Sequence, residues 1–498
     1  MKTFDSRKHI GIIGSGFSGL SSACILAKEG QKVTIYEKNQ QVGGRARLLQ
    51  TNGFTFDMGP SWYWMPDVFE KFFNRFGKTT ENYFQLKKLS PSYNIIFSQE
   101  EVIKVPDSME EIFEMFESIE SGSRKYLSKF LENAHLKYQL GVNQLVYKPS
   151  KSLFEFFQPQ IISNIFRLSI FQSYHSYVRK YFKDPHLISL LEFPLLFLGA
   201  SAKRIPALYS LMNHASLSLG TWYPMGGMHE IIKAMKSLAE ELGVTIHTKS
   251  TVEKIMVKDK KAYGLLVNQN EISLDAVIAS ADYHFVEQNL LKNRQKKYSK
   301  AYWNKRTLAP SSLVFYLGVK EKIPRLNHHN LFFDEDLEQH SKEIYETPQW
   351  PTRPLFYVCC PSKTDNSVAP IGMENLFILM PLAPGLEDTK ELREKYFHLL
   401  MNRLEKFTGK PIRNLVMVKK SYAIKDFKQD YNAYKGNAYG LANTLKQTAI
   451  FKPSMHNPNV KNLIYTGQLT VPGPGVPPAI ISGQVAANEI MKILKIKS

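Results

Sequence analysis

The chain has 498 residues, of which 43% are hydrophobic, and 64 lysines and arginines against 45 aspartates and glutamates give it a formal net charge of +19. A chain of this length can bury a sizeable core and divide into two or three lobes. This excludes the class of small domains that depend on disulfide bonds for their stability. The excess of positive charge predicts an anionic partner, and three cysteines in the whole chain predict no disulfide framework, which favours a reducing compartment.

The first predicted elements form a βαβ unit. An apolar strand over residues 10–13 leads into the turn Gly14-Ser15-Gly16-Phe17-Ser18-Gly19, a helix over 20–28 and a second apolar strand that ends at Glu37. Short glycine patterns also occur by chance in turns, so the surrounding elements carry the interpretation. This order of strand, turn, helix, strand and acidic residue is typical of a dinucleotide-binding site.

Each residue of this motif has a predicted physical role. Gly14 permits the tight turn, Gly16 lets the backbone approach a pyrophosphate, and Gly19 lets the helix lie close on the sheet. The unpaired N–H groups and positive dipole end of the helix attract the phosphates. Glu37 can accept hydrogen bonds from an adenosine ribose and disfavours a 2′-phosphate, which argues against NADP.

The segment after the second strand favours FAD over NAD as the cofactor. Gly43 and Gly44 allow another close backbone approach, and Arg45 can neutralise a pyrophosphate. Such a second clamp suits an enzyme that keeps its cofactor permanently bound. The stretch 54–61 then supplies Phe-Thr-Phe-Asp-Met-Gly-Pro-Ser.

Two polar residues in the middle of the chain are candidates for acid and base catalysis. Glu132 and His135 lie one turn apart in a predicted helix over residues 126–140, so they share a face and can place an acid and a base together. The alternative is an ordinary solvated helix face. Histidines within 328–340 lie near acidic residues but match no known ligand spacing, so no metal site is expected.

Two further segments raise the question of contact with a membrane. The stretch 161–182 has apolar and aromatic residues mostly at helical spacing, which fits a monotopic membrane helix, a wall of a substrate chamber or packing within a lobe. The stretch 292–306 holds seven basic residues and no acidic one. Its aromatic residues Tyr298, Tyr302 and Trp303 suit a lipid headgroup interface, with a solvated helix face as the alternative.

Sequence features also limit which partners and which cell compartment are expected. No nucleic-acid partner is expected, since no recognition motif accompanies the charge. A secretory signal is not credible at the N-terminus, because cleavage there would delete the dinucleotide motif. No apolar run is long enough to span a bilayer. We therefore expect a cytoplasmic protein, either free or peripheral to the cytoplasmic face of the membrane.

The C-terminal stretch 472–483 predicts a helix that begins beside Val476. Pro477 and Pro478 suit the first helical turn, where no N–H partner is needed, and the preceding glycines permit a close approach. Directed at the pyrimidine edge of a flavin, the positive end of this helix would stabilise the negative charge that develops when the ring accepts a hydride. A proline-rich surface turn is the alternative.

These motifs resemble the amine oxidase and phytoene desaturase superfamily of flavoproteins, whose N-terminal signature continues into GGRxR, here residues 43–47. The stretches 219–228, 278–282 and 465–481 look like those of the bacterial and fungal type of phytoene desaturase, in the same order and over nearly the whole chain. The stretch 472–483 is similar to the segment under the flavin in these carotenoid enzymes, which generic amine oxidases lack.

The resemblance implies an α/β fold. A Rossmann-type FAD-binding domain, like that of glutathione reductase, is expected to carry an inserted mixed α+β substrate domain and a helical membrane-proximal region. The mixed run 244–257 would supply a returning strand, with Val252 near the adenine. The implied boundaries are 1–80, 215–285 and 440–498 for the FAD-binding domain, and 81–214 and 286–439 for the substrate-binding, membrane-proximal domain. The implied cofactor-binding residues are Gly14, Ser15, Gly16, Ser18, Gly19, Glu37, Lys38, Gly43, Gly44, Arg45, Gly59, Pro60, Val252, Gly467 and Val476.

The resemblance also implies a reaction. The expected enzyme is an FAD-dependent phytoene desaturase, which introduces conjugated double bonds into a C40 polyene, towards neurosporene or lycopene, by hydride transfer to the flavin. Alternatives within the class are a later-step carotenoid dehydrogenase, a ketolase or an isomerase. A different class is a non-catalytic prenyl-lipid carrier on the same fold, like the GDP-dissociation inhibitors of small GTPases. The expected partners are a hydrophobic C40 carotenoid precursor and an anionic membrane surface.

Overall fold

The computed structural model describes residues 7–156 and 165–496. Its strands are, in chain order, β1 (His9–Ile13), β2 (Lys32–Tyr36), β3 (Leu48–Thr51), β4 (Phe54–Asp57), β5 (Leu86–Lys88), β6 (Tyr93–Ile96), β7 (Val102–Val105), β8 (Trp222–Pro224), β9 (Thr245–His247), β10 (Val252–Lys258), β11 (Lys261–Val267), β12 (Asn270–Ser273), β13 (Ala276–Ala279), β14 (Ser311–Val319), β15 (His329–Phe332), β16 (Phe356–Cys359), β17 (Glu374–Leu382), β18 (Val416–Tyr422) and β19 (Leu463–Tyr465).

The α-helices lie between these strands and at the C-terminal end. They are α1 (Phe17–Lys28), α2 (Pro66–Asn74), α3 (Met109–Ile119), α4 (Ser123–Leu140), α5 (Ile165–Leu168), α6 (Tyr174–Val178), α7 (Pro185–Glu192), α8 (Leu211–Asn213), α9 (His229–Glu241), α10 (Tyr283–Phe285), α11 (Lys300–Asn304), α12 (Leu337–Tyr345), α13 (Lys390–Thr408), α14 (Ile412–Leu415), α15 (Ile424–Tyr431) and α16 (Val476–Leu494).

A parallel sheet of five strands, in the order β19-β13-β1-β2-β9, forms the first lobe. Its central strands are short, apolar and buried, as expected where helices cover both faces of a parallel sheet. The strands come from residues 9–36, 245–279 and 463–465, so the lobe is discontinuous in sequence. Each of these parts lies inside a segment that the sequence assigns to the FAD-binding domain, while the domain boundaries themselves stay a prediction.

The run 244–257 forms two strands in two different sheets instead of one returning strand. β9 pairs in parallel with β2, whereas β10 joins β11 and β12 in a separate antiparallel sheet. Between them the chain turns at Lys249, whose φ is +51°. The Glu37 backbone N–H donates to the His247 carbonyl at 2.8 Å, and the Ser250 N–H donates to the Glu37 carbonyl at 2.8 Å. These bonds bring the start of β10 close to the end of β2.

A seven-stranded sheet, in the order β18-β14-β17-β16-β15-β6-β7, forms the second lobe. Alternate residues of β14 face opposite sides of this sheet. Phe315 packs on the Phe397 ring of α13, with ring centroids 5.3 Å apart. The neighbouring Tyr316 points the other way, and its hydroxyl donates to the Met58 carbonyl at 2.8 Å. One face of the sheet therefore has its own core, and the other faces the first lobe.

The apolar spacing over 161–182 does not produce a single helix. Residues 161–164 lie outside the described residues, and the rest forms the short helices α5 and α6. Tyr174 is buried, and its hydroxyl donates to the Leu191 carbonyl at 2.8 Å. Phe182 packs against Phe116 and Phe130. The part from 174 onward therefore packs in the protein interior, in the same hydrophobic core as the first lobe.

The aromatic residues of the basic stretch 292–306 pack on one another, and Trp303 is buried while Tyr298 and Tyr302 are half-buried. Trp303 is fully buried and lies 5.4 Å from the ring of Tyr283. Tyr298 stacks on Tyr302, and its hydroxyl accepts a hydrogen bond from the Ser454 N–H. A headgroup anchor must reach the surface, so Trp303 does not serve as one, whereas the same role for the half-buried Tyr298 and Tyr302 stays a prediction. Across the described parts of the chain, no helix is both long and apolar enough to cross a bilayer.

Helix α16 begins at Val476, as predicted, and packs directly on α1. The Ser21 hydroxyl donates to the Ile480 carbonyl at 2.7 Å, and the Ser22 hydroxyl donates to the Gly483 carbonyl at 2.9 Å. A Cβ atom at Gly483 would lie 2.3 Å from the Ser18 carbonyl oxygen. The two helices therefore approach at backbone distance, which requires glycine at position 483.

The substitution Gly483→Ala is expected to destabilise the fold, because the added methyl group must push α16 away from α1. Overpacking of this kind costs about 1–3 kcal/mol. The thermal unfolding midpoint should fall, while Asn488→Ala, on a partly exposed position of the same helix, should leave it unchanged. An unfolding midpoint for Gly483→Ala equal to that of the wild type would contradict the close packing.

Candidate active site

A large cavity lies between the two lobes, and its wall changes in character from one end to the other. At one end it is lined by the glycine turn of residues 14–18, Glu37 and the Gly43–Arg45 segment. At the other it is lined by apolar side chains of the seven-stranded sheet and by Trp62 and Phe193. The start of α16 also lines this cavity. The end lined by the glycine turn, called the nucleotide end below, and the apolar chamber are thus parts of one space.

Most of the residues predicted to bind a cofactor line this cavity. Gly19 does not line it. A Cβ atom at Gly19 would lie 2.2 Å from the Gly14 carbonyl oxygen, so the role of Gly19 is to let α1 pack closely behind the turn. The lining residues among the predicted set are Gly14, Ser15, Gly16, Ser18, Glu37, Lys38, Gly43, Gly44, Arg45, Gly59, Pro60, Val252, Gly467 and Val476.

The buried carboxylate of Glu37 is held at the end of β2 by three donors. The Ser15 N–H and hydroxyl donate to Oε2 at 3.0 and 2.8 Å, and the Asn39 N–H donates to Oε1 at 2.9 Å. A carboxylate has about four lone-pair sites, so a further donor can be accommodated. Glu37 therefore has the position and the remaining capacity to accept a ribose hydroxyl.

The two glycine segments lie against each other beside the N-terminus of α1. A Cβ atom at Gly16 would meet nothing within 4 Å, and one at Gly44 would lie 3.3 Å from the Gly16 Cα. Gly14 and Gly43 have φ values of +97° and +110°, a region that favours glycine. The backbone here leaves open space beside the N-terminus of α1, which attracts anions.

Arg45 is a half-buried cation in the wall of the cavity. Among the described residues it makes no ion pair, its Nε has no hydrogen-bond partner, and its Nη2 donates to the Asn437 carbonyl at 3.3 Å. Burial lowers the pKa of Arg45, an effect that the nearby Asp282 partly offsets. Burying an unpaired charge is costly. A pyrophosphate would supply the missing acceptor and charge, so these residues fit FAD.

The positive end of α16 is fixed at the cavity by its own first turns. The Ser482 hydroxyl donates to the Val471 carbonyl at 2.7 Å and accepts a hydrogen bond from the Gly467 N–H at 3.0 Å. Gly475 precedes the helix with a φ of +112°, and residues 474–479 line the cavity. The prolines therefore do not form a surface turn, and the helix dipole can act on charge inside the cavity.

The apolar chamber contains residues that sequence reasoning missed. Trp62 lines the cavity and stacks on His329 at 3.9 Å between ring centroids, and Tyr357 lines it nearby. No spacing in the sequence signals these residues, because the pairing of β15 with β16 brings His329 and Tyr357 together. For Trp62 a signal existed, since it directly follows the stretch 54–61.

The structure does not bring Glu132 and His135 into the cavity. Both side chains on α4 are exposed, and neither lines the cavity. Glu132 accepts a hydrogen bond from the Ser128 hydroxyl at 3.3 Å, and His135 Nδ1 lies 3.2 Å from His214 Nε2. This placement contradicts their predicted role as acid and base at the reacting atoms and agrees with an ordinary helix face.

Three potential metal ligands lie close together beside the chamber. Within the described ranges, His328, His329 and Cys359 each offer a donor atom, and these atoms lie within 4.8 Å of one another. The small void next to them is lined by His328 and Cys359 but not by His329. The three donors therefore do not converge on one space, and we assign no metal to them.

Comparison with known proteins agrees with this geometry. The family of flavin containing amine oxidoreductases matches residues 17–491. A carotenoid 3,4-desaturase of Haloarcula japonica is 38% identical over 98% of this chain and 99% of its own length. A zeta-carotene-forming phytoene desaturase of Myxococcus xanthus is 30% identical over 97% and 94%. The solved structure of putrescine oxidase with bound putrescine has a TM-score of 0.63 at 16% identity and covers 98% of this chain and 99% of its own, a likeness of fold alone.

Replacing Arg45 and Arg47 by methionine should have different effects on the unfolding midpoint of the FAD-free protein. Arg45→Met is expected to weaken FAD binding roughly tenfold or more, since charged hydrogen bonds are worth about 1.5–3 kcal/mol. The thermal unfolding midpoint of the FAD-free protein should not fall, because a half-buried charge that makes no ion pair with the described residues is removed.

The matched control is Arg47→Met. Arg47 pairs with Asp430, and its Nη2 donates to the Tyr431 hydroxyl at 3.3 Å. This variant should lower the unfolding midpoint of the FAD-free protein, because Asp430 loses its ion pair with Arg47. Flavin content after gel filtration, FAD titration and thermal unfolding measure these effects. Full flavin retention by Arg45→Met would show that Arg45 does not contact the cofactor.

Proposed function

Because the chain belongs to the carotenoid desaturases of the flavin-containing amine oxidoreductase family, we propose that it dehydrogenates an acyclic C40 carotenoid and lengthens its conjugated system. The chain is an FAD-dependent oxidoreductase that acts on CH–CH groups. The observation that carries the proposal is the single cavity in which the glycine turn and α16 open onto an apolar chamber.

The reaction does not require a strong acid or a strong base from the protein. Bound FAD supplies the acceptor for a hydride. A CH₂ group next to a polyene that loses a hydride becomes an allylic cation, and loss of a proton then forms the new double bond. The chamber orients the chain and excludes water, and the N-terminus of α16 stabilises the negative charge that develops beside it. Glu37 would hold the ribose and Arg45 the pyrophosphate of the bound nucleotide.

Two steps of carotenoid synthesis remain candidates for this chain. The motifs of the sequence are similar to those of phytoene desaturases, which favours conversion of phytoene towards neurosporene or lycopene. The 38% identity to a carotenoid 3,4-desaturase exceeds the 30% identity to a phytoene desaturase, which favours a later dehydrogenation. Both steps require the same hydride acceptor and the same apolar chamber.

Expression in two bacterial hosts distinguishes these steps. In a host that accumulates phytoene, new neurosporene or lycopene indicates the early step. In a host that accumulates lycopene, a more conjugated pigment, with phytoene unaltered in the first host, indicates the later step. The Arg45→Met variant serves as the cofactor-deficient control. A purified chain without flavin absorbance, together with unaltered pigments in both hosts, would favour a prenyl-lipid carrier and overturn the proposal.

We propose further that the protein takes its substrate from an anionic membrane surface at the cytoplasmic face. A polyene dissolved in lipid gains little on moving into an equally apolar chamber, so docking on the bilayer must deliver it. Phe154 and Phe171 are 83% and 88% exposed and flank residues 157–164, and Phe451 is 58% exposed. The exposed Arg167 lies near Phe171 in the chain, and such pairs of aromatic and basic groups suit a lipid interface.

Vesicle binding tests this docking proposal. Phe171→Ser and Phe154→Ser should each weaken binding to vesicles of anionic lipid about tenfold, since burial of a phenylalanine gains about 1.5–3 kcal/mol. Ile371→Ser removes another exposed apolar side chain and should leave the binding unchanged. Sedimentation with vesicles gives the bound fraction. Equal binding of all three variants and the wild type would place the docking surface elsewhere.

A further inference from the structure

The proposed reaction requires an acceptor for a proton in an apolar chamber. Among the described residues, the carboxylates that line the cavity are Glu37, Asp282 and Asp430. Glu37 is bound by Ser15, Asp282 accepts the Phe285 N–H at the start of α10, and Asp430 pairs with Arg47. These groups belong to the nucleotide end, so none faces the polyene.

The histidine that lines the cavity is already fully hydrogen-bonded. His340 Nε2 lies 3.1 Å from the Pro381 carbonyl, and its Nδ1 accepts a hydrogen bond from the Leu355 N–H at 3.0 Å. These two contacts fix the proton of the neutral ring on Nε2. His340 therefore has no lone pair left to accept a proton from the substrate.

Tyr357 has a basic group directly behind it. Its hydroxyl lies 2.6 Å from Nδ1 of His329, a side chain with no exposed surface. The strand register explains this contact: Tyr357 pairs with Leu331, and His329 lies two residues before Leu331, so the side chains are diagonal neighbours on one face. Leu331 and Tyr357 both line the cavity.

The phenol oxygen lies near the junction of the nucleotide end and the apolar chamber. The Ser61 hydroxyl is within hydrogen-bonding reach of Tyr357, and Ser61 also lines the cavity. Ser61 directly follows Gly59 and Pro60, which line it too. A Cβ atom at Gly59 would lie 2.3 Å from the Arg45 carbonyl oxygen, so this segment packs on the Arg45 segment.

We propose that Tyr357, supported by His329, takes up the proton that the carotenoid loses; the proposal rests on the function proposed above. After the hydride has left the substrate, the C–H bond next to the allylic cation breaks, and its electron pair becomes the new double bond. The proton binds the phenol oxygen as the phenol proton moves to His329 Nδ1. Tyr357 is the catalytic residue, and His329 is a positioning residue that acts through it.

The weakness of this base suits the reaction. An allylic cation is so strong an acid that a neutral phenol with an imidazole behind it is basic enough. A carboxylate in the same place would bury an unpaired charge while the chamber holds a neutral polyene, which is costly. Burial lowers the pKa of His329 well below its ordinary value, so its lone pair is free before the reaction. Trp62 stacks on the His329 ring and holds the ring in the orientation that contacts Tyr357.

The test uses the flavin-loaded enzyme in liposomes with the carotenoid that the wild type converts. General acid–base catalysis is worth about 10²–10⁴-fold, so Tyr357→Phe should lower kcat about 100-fold or more with KM and flavin content little changed. His329→Asn should do the same, and His329→Gln repeats the test with a larger side chain. Because the two residues act as one unit, the double variant should be no slower than Tyr357→Phe alone.

The comparison variant is Tyr439→Phe, which removes a phenol hydroxyl from the wall of the same cavity. Its kcat should fall far less than that of Tyr357→Phe. A kcat within threefold of the wild type in Tyr357→Phe, or losses that multiply in the double variant, would overturn the proton-acceptor role. Failure of the wild type to convert any carotenoid would instead overturn the proposed function, so the two failures are distinguishable.

Discussion

The contact between α1 and α16 at backbone distance is the constraint on which the site depends. Gly19 allows α1 to start directly above the Gly14 carbonyl, and Gly483 allows α16 to lie on the Ser18 carbonyl. The two helices therefore present their N-termini to one cavity. Each N-terminus carries about half a positive charge. In the proposed arrangement one N-terminus would bind the pyrophosphate and the other would lie beside the ring that accepts the hydride, so a shift of either helix would weaken cofactor binding or hydride transfer separately.

The second lobe contributes through the alternation of its strands. In β14 the odd-numbered Phe315 and Leu317 fill a separate core, while Val314 and Tyr316 face the first lobe. The same alternation in β15 and β16 sends Phe332 and Phe356 into that core, where their rings stack at 4.2 Å. Leu331 and Tyr357 are left facing the cavity. One sheet thus provides both the stability of the lobe and the wall of the chamber.

Local patterns allowed part of this structure to be predicted from the sequence. The βαβ unit and the helix beginning at Val476 depend on glycine, proline and apolar periodicity within short windows, and both are found as expected. Periodicity shows which residues share a helix face but not which face is buried. Glu132 and His135 share a face as expected, yet that face is exposed. Tyr357 and His329 meet only through strand register, which no local pattern contains.

Two cations, the half-buried Arg45 and the buried Lys452, link the stability of the fold to its cofactor. Arg45 has no ion pair among the described residues, and Nζ of the buried Lys452 likewise has no partner in these parts of the chain. Burial lowers the pKa of Lys452 to about 7, and its Nζ would lie 3.1 Å from a Cβ at Gly473, in the loop that leads into α16. In the proposed arrangement, a dianionic pyrophosphate at Arg45 would remove part of this penalty only in the folded state. Because a ligand that binds only the folded state stabilises it by mass action, bound FAD would then stabilise the first lobe as well as accept the hydride.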